Sequence, residues 1–461
     1  GELLPGMAYL VRRLLENTAN ESFLRQSFVE NIDTEKLLED PAKVIETLTE
    51  KTRATPASEL QAPKDHGPDP FTNEPFVDFT RPDARSAFPE AIDQVRARLG
   101  RTCPLLIGDK EIRTEDTLPS VNPAIPEEIV GQVSQAGKQE IDSAIAAAKK
   151  GFPGWRDTLP KDRAHYLFRA ADIARTQIYN LAAWQVLEVG KQWDQAYADV
   201  GEAIDFLEYY GREMIRLGSE RRMGTAPGEL NHYFYQPKGL AAVIAPWNFP
   251  LAISCGMSAA AIVAGNCVLY KPSGLSPVVG FTLAEIFKEA GLPKGVFNYT
   301  PGRGSVIGDY LVDHPDISLI AFTGSMDIGL RILERASRVQ TNQTGVKKVI
   351  AEMGGKNAVI VDDDADLDEA VVHILHSAFG YQGQKCSACS RAIVLEPIYD
   401  KFVRRFVEAA KSVQIGPAED PANYMGPVVD QAAQQKILEY IEIGKKEGNL
   451  LLSRSVPEEG Y

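Results

Sequence analysis

The sequence predicts an α/β protein whose main sheet is largely parallel, with helices on both faces. Two observations carry this. From about residue 105, strand-like and helix-like stretches alternate along the 461-residue chain, the order that crossover connections impose. The run from Gly239 to Tyr270 holds no charged residue. It reads as a buried strand, loop, helix and strand. Pro246, Asn248, Pro250, Ser254 and Asn266 interrupt it, and Gly and Ala stand where a membrane span would carry Leu and Ile.

Taken in order, residues 1 to 50 read as helical. "MAYLVRRLLENTANESFLRQSF" spaces its apolar residues for a helix and has no Gly or Pro after Gly6. Residues 56 to 90 hold seven prolines, so 51–100 reads as a linker or an irregular covering segment. "EEIVGQVSQAGKQEIDSAIAAAKKGF" passes from strand to helix. "GLAAVIAPWN" is a strand closed by a Pro-Trp-Asn turn, "GNCVLYKPS" a buried strand leading to a lysine, and "ISLIAFTGS" a strand ending at Gly-Ser. "VKKVIAEMGGKNAVIVDDDADLDEAVVHILHSAF" gives two strands and a helix. Sheets of this kind bind ligands at the carboxyl ends of their strands, where these polar and Gly-rich motifs fall.

With 44% hydrophobic and 24% charged residues, the chain has ordinary globular composition and the length for two or three domains. A net charge of −14 argues against nucleic acid or an anionic membrane surface as a general partner. Five scattered cysteines, at 103, 255, 267, 386 and 389, do not form a disulfide framework and point to a reducing cytoplasm.

"GYQGQKCSACSR" raises the question of chemistry. Cys386-x-x-Cys389 has the spacing of half a zinc site, a redox pair or two core cysteines. A zinc site needs further ligands, yet the other cysteines sit in apolar runs and His373 and His376 fall on a helix. A redox pair opens a helix in a much smaller unit. The polar, Gly-rich approach to Cys386 suits a nucleophile, which needs positive or dipolar support from Lys385 or from a helix beginning at Cys386. Glu352 stands before Gly354-Gly355, where a carboxylate either reaches into a cleft or lies solvated on the surface. The Asn248 amide, in "APWNFP", needs a partner, either backbone or a developing oxyanion. Lys271 ends a strand, to hold a ribose or to lie exposed. "FTGSMDIG" and "GRGSVIG" are each weak, off-pattern nucleotide loops.

The ordered set "PWNFP", "KPS", "FTGS", "EMGGKN" and "GQKCSA", with Glu352 34 residues before Cys386, resembles the NAD(P)-dependent aldehyde dehydrogenase superfamily over residues 100 to 461. The resemblance implies Cys386 as nucleophile, Asn248 with the cysteine N–H as oxyanion donors, and Glu352 as the base that activates water. It implies NAD held by Ala245, Pro246, Trp247, Lys271, Ser273, Gly304, Gly308, Gly324, Ser325, Ile328, Met353 and Gly354. No metal is required. Gly274 departs from the pattern: many relatives carry there an acid that binds the adenosine 2′-hydroxyl.

The N-terminal "YLVRRLLENTANESFLR" is similar to the last helix of the (β/α)8 proline dehydrogenase barrel in bifunctional proline utilization A proteins. There, arginines matching Arg12 and Arg13 grip the carboxylate of proline, and the barrel carries FAD. The implied substrate is L-glutamate γ-semialdehyde, the open form of Δ1-pyrroline-5-carboxylate. Phe249, Lys385 and Ser387 would line its pocket. The implied fold is an aldehyde dehydrogenase fold with a Rossmann-like NAD-binding domain (101–220 and 238–352) and an α/β catalytic domain (353–461, incomplete), preceded by barrel helices over 1–50. Most of the barrel is expected before Gly1, and the last part of the catalytic domain after Tyr461. Residues 221–237, including "GTAPGELNHYFYQP", resemble oligomerisation strands, so a homo-oligomer is expected. For the full protein a peripheral membrane contact is expected too. The competing expectations are a general aldehyde dehydrogenase with another substrate, or a non-catalytic scaffold of the same fold.

Overall fold

The computed structural model describes residues 70–224 and 226–461. The calls on residues 1–50, including Arg12 and Arg13, lie outside them.

Helix α1 (Pro82–Arg96) comes first. It falls within the stretch expected as a linker, and that expectation is corrected here. Pro82 sits in the first turn, where a missing N–H costs nothing. Ala84, Phe88, Ala91, Ile92 and Val95 then recur at helical spacing and are buried. Proline content masked this apolar stripe.

Short strands β1 (Arg101–Cys103), β2 (Leu105–Ile107) and β3 (Lys110–Ile112) follow, then β4 (Thr117–Asn122) and β5 (Ile125–Ser134). Four helices come next: α2 (Lys138–Asp157), α3 (Pro160–Thr176), α4 (Ile178–Val189) and α5 (Trp193–Leu217). Two-residue strands β6 (Arg221–Arg222) and β7 (His232–Tyr233) pair into an exposed antiparallel hairpin.

The alternating region then builds the main sheet. Its elements are β8 (Leu240–Ile244), α6 (Ala252–Val263), β9 (Cys267–Lys271), α7 (Pro277–Glu289), β10 (Phe297–Tyr299), a π-type turn (Gly304–Gly308), α8 (Asp309–Asp313), β11 (Ile317–Gly324), α9 (Met326–Ala336) and β12 (Lys348–Met353). Among the described residues the sheet has seven strands, in the order β12-β11-β8-β9-β10-β2-β3. The pairings from β12 through β10 are parallel, and β2 and β3 extend the edge antiparallel. The uncharged run is thus β8, a loop, α6 and β9, with every residue of both strands buried. No helix among the described residues is long and apolar enough to cross a membrane.

Strand β13 (Asn357–Val361), α10 (Leu367–Phe379), β14 (Cys389–Val394), α11 (Glu396–Lys411) and α12 (Gln431–Glu447) complete the described chain. β13 and β14 pair in parallel as a separate two-stranded sheet.

Candidate active site

The parallel register delivers several strand ends to one edge of the sheet. Ile244 lies opposite Lys271 and Phe322, and Gly324 lies opposite Met353. Beyond these ends opens a cleft of about 930 Å³, where a parallel sheet is expected to bind ligand. Its walls include Ala245, Pro246, Trp247, Asn248, Lys271, Ser273, Gly304, Gly308, Gly324, Ser325, Ile328, Met353, Gly354, Lys385 and Cys386.

Lys271 ends β9 with its ammonium buried. Its hydrogen bond goes to the neighbouring Pro272 carbonyl at 3.2 Å, and it forms no ion pair among the described residues. Burial pushes its pKa down to about 8. A buried cation without a carboxylate calls for an external acceptor. Three wall glycines point the same way. A Cβ on Gly304, Gly308 or Gly354 would meet no protein atom within 4 Å, and none has a left-handed backbone. Neither packing nor strain requires glycine there, so the room they leave fits a ligand lying against the backbone. The cleft acid Asp309 is occupied by Arg331 and Arg335.

Opposite the sheet runs the loop from α10 to β14. Tyr381, Gln382 and Gly383 follow one another in the left-handed region, at φ 51°, 56° and 68°. Cys386 then sits in a turn, and the chain re-enters regular structure only as β14 at Cys389. No helix begins at Cys386. That support for the thiol is corrected: the left-handed path and the early start of β14 leave no room for a helical turn.

Asn248 donates from Nδ2 to the Gln384 carbonyl at 2.9 Å, and its Oδ1 accepts from Phe249 N–H at 3.2 Å. One amide hydrogen remains beyond the backbone partner. Asn357 donates to the carbonyls of Cys386 (2.7 Å) and Ala388 (3.3 Å). Gln384 Oε1 accepts from Val429 N–H at 3.1 Å. The Lys385 ammonium donates to Gln195 Oε1, and burial together with the charge of Lys191 lowers its pKa.

Among the described residues, three predicted ones stand outside the cleft lining: Glu352, Phe249 and Ser387. Glu352 lies on β12 opposite Thr323 and is exposed. Strand alternation turns its neighbour Met353 to the cleft instead. Ser387 is exposed in the turn beside Cys386. Phe249 is half-buried, its ring centroid 4.0 Å from the Lys191 ammonium.

Among the five thiols, Cys386 is the exposed one. Burial pushes Cys103 and Cys267 up to about 12 and Cys255 higher still. Cys389 packs into a small apolar cluster with Val361 and Phe402. Sequence reasoning missed Asn357, Gln382, Lys191 and Asp199. It also missed buried Glu188, which accepts from the N–H groups of Val278 and Val279 at 2.8 and 2.7 Å and so fixes the start of α7 after the Lys271 loop. An accessible thiol, an amide with a spare donor and a glycine-walled groove beside an unpaired cation suit covalent chemistry on an electrophilic carbon, with an anionic or polyhydroxyl cofactor alongside.

Known families and solved structures resemble this chain. Residues 111–461 match the model of the aldehyde dehydrogenase family, and residues 1–26 match that of proline dehydrogenase. A 1-pyrroline-5-carboxylate dehydrogenase of Geobacillus thermodenitrificans is 51% identical over 382 residues, covering 83% of this chain and 74% of that protein. The crystal structure of a Thermus 1-pyrroline-5-carboxylate dehydrogenase with bound NAD superposes with a TM-score of 0.83 at 45% identity, over 85% of this chain and 76% of that one. Proline utilization A from Bdellovibrio bacteriovorus, inactivated by N-propargylglycine, gives a TM-score of 0.85 at 48% identity. That match covers 100% of this chain, which spans 47% of the length of that protein. By sequence and by fold, this chain belongs to the aldehyde dehydrogenase family.

Proposed function

We propose that this chain carries out the NAD-dependent oxidation of L-glutamate γ-semialdehyde to L-glutamate, with Cys386 as nucleophile. The observation that carries the reading is the exposed Cys386 thiol on the glycine-walled cleft, with Asn248 hydrogen-bonded to the adjoining loop. The choice of aldehyde rests on the half-identical relatives named as 1-pyrroline-5-carboxylate dehydrogenases.

In this reading the Cys386 thiolate adds to the aldehyde carbon. The free amide hydrogen of Asn248 and the Cys386 N–H bind the oxyanion that forms. NAD, when bound, supplies the hydride acceptor that the oxidation requires. Lys271 and Ser273 would hold its ribose, and Gly304, Gly308, Gly324, Ser325 and Gly354 would admit it against the backbone. Oxidation leaves a thioester on Cys386. Glu352 takes a proton from water, which displaces the acid and frees the thiol. Glu352 stands one residue before the cleft-lining Met353, so this step requires its carboxylate to swing round the end of β12. Lys385, Ser387 and Phe249 flank the aldehyde's carboxylate-bearing tail.

The proline dehydrogenase match at residues 1–26 and the likeness to proline utilization A support a further reading. Here the activity works within a bifunctional protein that also oxidises proline with FAD, and Arg12 and Arg13 belong to the proline site. The exposed hairpin β6–β7 is the proposed site of self-association.

The test is NADH formation from Δ1-pyrroline-5-carboxylate by the parent protein and by Cys386→Ala. The parent should produce NADH, and the variant should lose roughly 10⁴-fold or more in kcat. Equal turnover by both would remove Cys386 as nucleophile. Turnover of simple aliphatic aldehydes alone would remove the semialdehyde as substrate.

A further inference from the structure

The loop that presents Cys386 follows a path that side chains resist. Tyr381 and Gln382 both carry positive φ, a costly region for any residue with a Cβ. Such a path persists only where the surroundings over-determine it. The contacts that do so converge on one corner, Val189 to Gln192, between α4 and α5. The Tyr381 hydroxyl donates to the Val189 carbonyl at 3.2 Å. Gln382 Nε2 donates to the carbonyls of Gly190 (3.3 Å) and Pro427 (2.6 Å). Gln382 Oε1 accepts from Gln192 Nε2 at 2.8 Å.

At the centre of this corner is Lys191. Its ammonium and the Asp199 carboxylate form an ion pair with neither side chain exposed. The pair reaches both loops of the site. Asp199 Oδ1 accepts the N–H of Ala252 at 2.6 Å, at the start of α6 just after the Asn248 loop. The Lys191 ammonium lies 4.0 Å from the ring centroid of Phe249 and 5.2 Å from that of Tyr381. One residue from Phe249, Asn248 donates to Gln384. A fully buried ion pair is weak evidence for stability, because desolvation offsets the attraction. Its placement between the two loops gives it a different role.

We propose that the Val189–Gln192 corner, locked by the Lys191–Asp199 pair, is the template that holds the Cys386 loop in its left-handed path and in register with Asn248. Lys191 and Gln382 are then positioning residues. The proposal rests on the reading of Cys386 as nucleophile.

Two variants test it. Lys191→Met combined with Asp199→Asn removes both charges together, so neither is left buried alone. Gln382→Met keeps the length of a half-exposed side chain and releases its grip on the corner. Three quantities are read: kcat and KM for the semialdehyde, and the rate at which iodoacetamide alkylates Cys386, followed by mass of its peptide. Both variants should lose about tenfold or more in kcat with KM within about threefold. Alkylation should change by about fivefold or more as the thiol leaves its set position. Folded variants with parental kcat and alkylation rate would overturn the template. If the double variant does not fold, Gln382→Met decides on the same criteria. A parent that made no NADH from the semialdehyde would sink the proposed function, and the alkylation rates would still decide the template.

Discussion

On the sheet side of the cleft every residue of β8 and β9 is buried, within an apolar core that runs from Phe88 to Ala418. On the loop side the sheet is two strands, and the buried cluster behind it is Val361, Leu367, Val371, Ile374, Cys389 and Phe402. Ile360 on β13 is 71% exposed and Ile393 on β14 is 49% exposed. What the loop side has instead is amides: Asn248, Asn357, Gln382 and Gln384 each bond to backbone. Burial of area is non-directional, whereas a hydrogen bond fixes one atom against another. The difference teaches that the sheet side of the cleft is held by packing and the Cys386 side by directed hydrogen bonds.

The comparison breaks most visibly in the cores. Leu269→Ala, in the middle of β9 with no exposure, should cost roughly 2–5 kcal/mol of apparent unfolding free energy. Ile360→Ala, on the exposed face of β13, should cost under about 0.5 kcal/mol. Denaturant melts of both would settle it, and equal losses would mean the two sides are packed alike.

Asn248→Ala sharpens the contrast from the other side. It removes little apolar area, so the melting temperature should move by only a few degrees. It should nevertheless lower kcat by about 10²–10³-fold, through loss of the proposed oxyanion donor. A variant that lost stability and kept its rate would place Asn248 with the packing residues instead.

The smallest effect concerns Lys271. Its folded pKa of about 8 lies below its ordinary value of 10.5, so the folded protein gives up the proton first. Stability from this group therefore rises as pH climbs from about 8 to 10.5, while the charge available to a ligand falls. NAD affinity by calorimetry should weaken by up to about tenfold between pH 7 and 9, and Lys271→Met should flatten that dependence. An unchanged slope in the variant would separate Lys271 from the cofactor.

What the sequence disclosed follows the same division. β8, β9 and β11 were readable because uncharged or β-rich runs end at turn residues. Lys271 and Asn248 were readable because they stand at or just after those ends, and Cys386 because a polar, Gly-rich stretch leads to it. The amide clamps were not. Gln382 meets Gly190 and Gln192 across about 190 positions of chain, and no local pattern marks either partner. Lys191 and Asp199, eight residues apart, look in sequence like solvated charges on a helix start. Helix α1 was hidden because Pro82 and Pro89 speak for a break while the apolar spacing around them speaks for a helix. Glu352 was placed correctly at a strand end but on the face that strand alternation turns away from the cleft.

The glycines without neighbours have a consequence for how the protein would respond to selection. Alanine at Gly304, Gly308 or Gly354 would meet nothing beyond its own turn and would restrict the unfolded chain, which favours the folded state. A library sorted for cellular abundance would score such changes as neutral or beneficial. The same library sorted for growth on the substrate would discard them. Positions that separate the two screens trace the outline of the cofactor, with no ligand-bound structure needed.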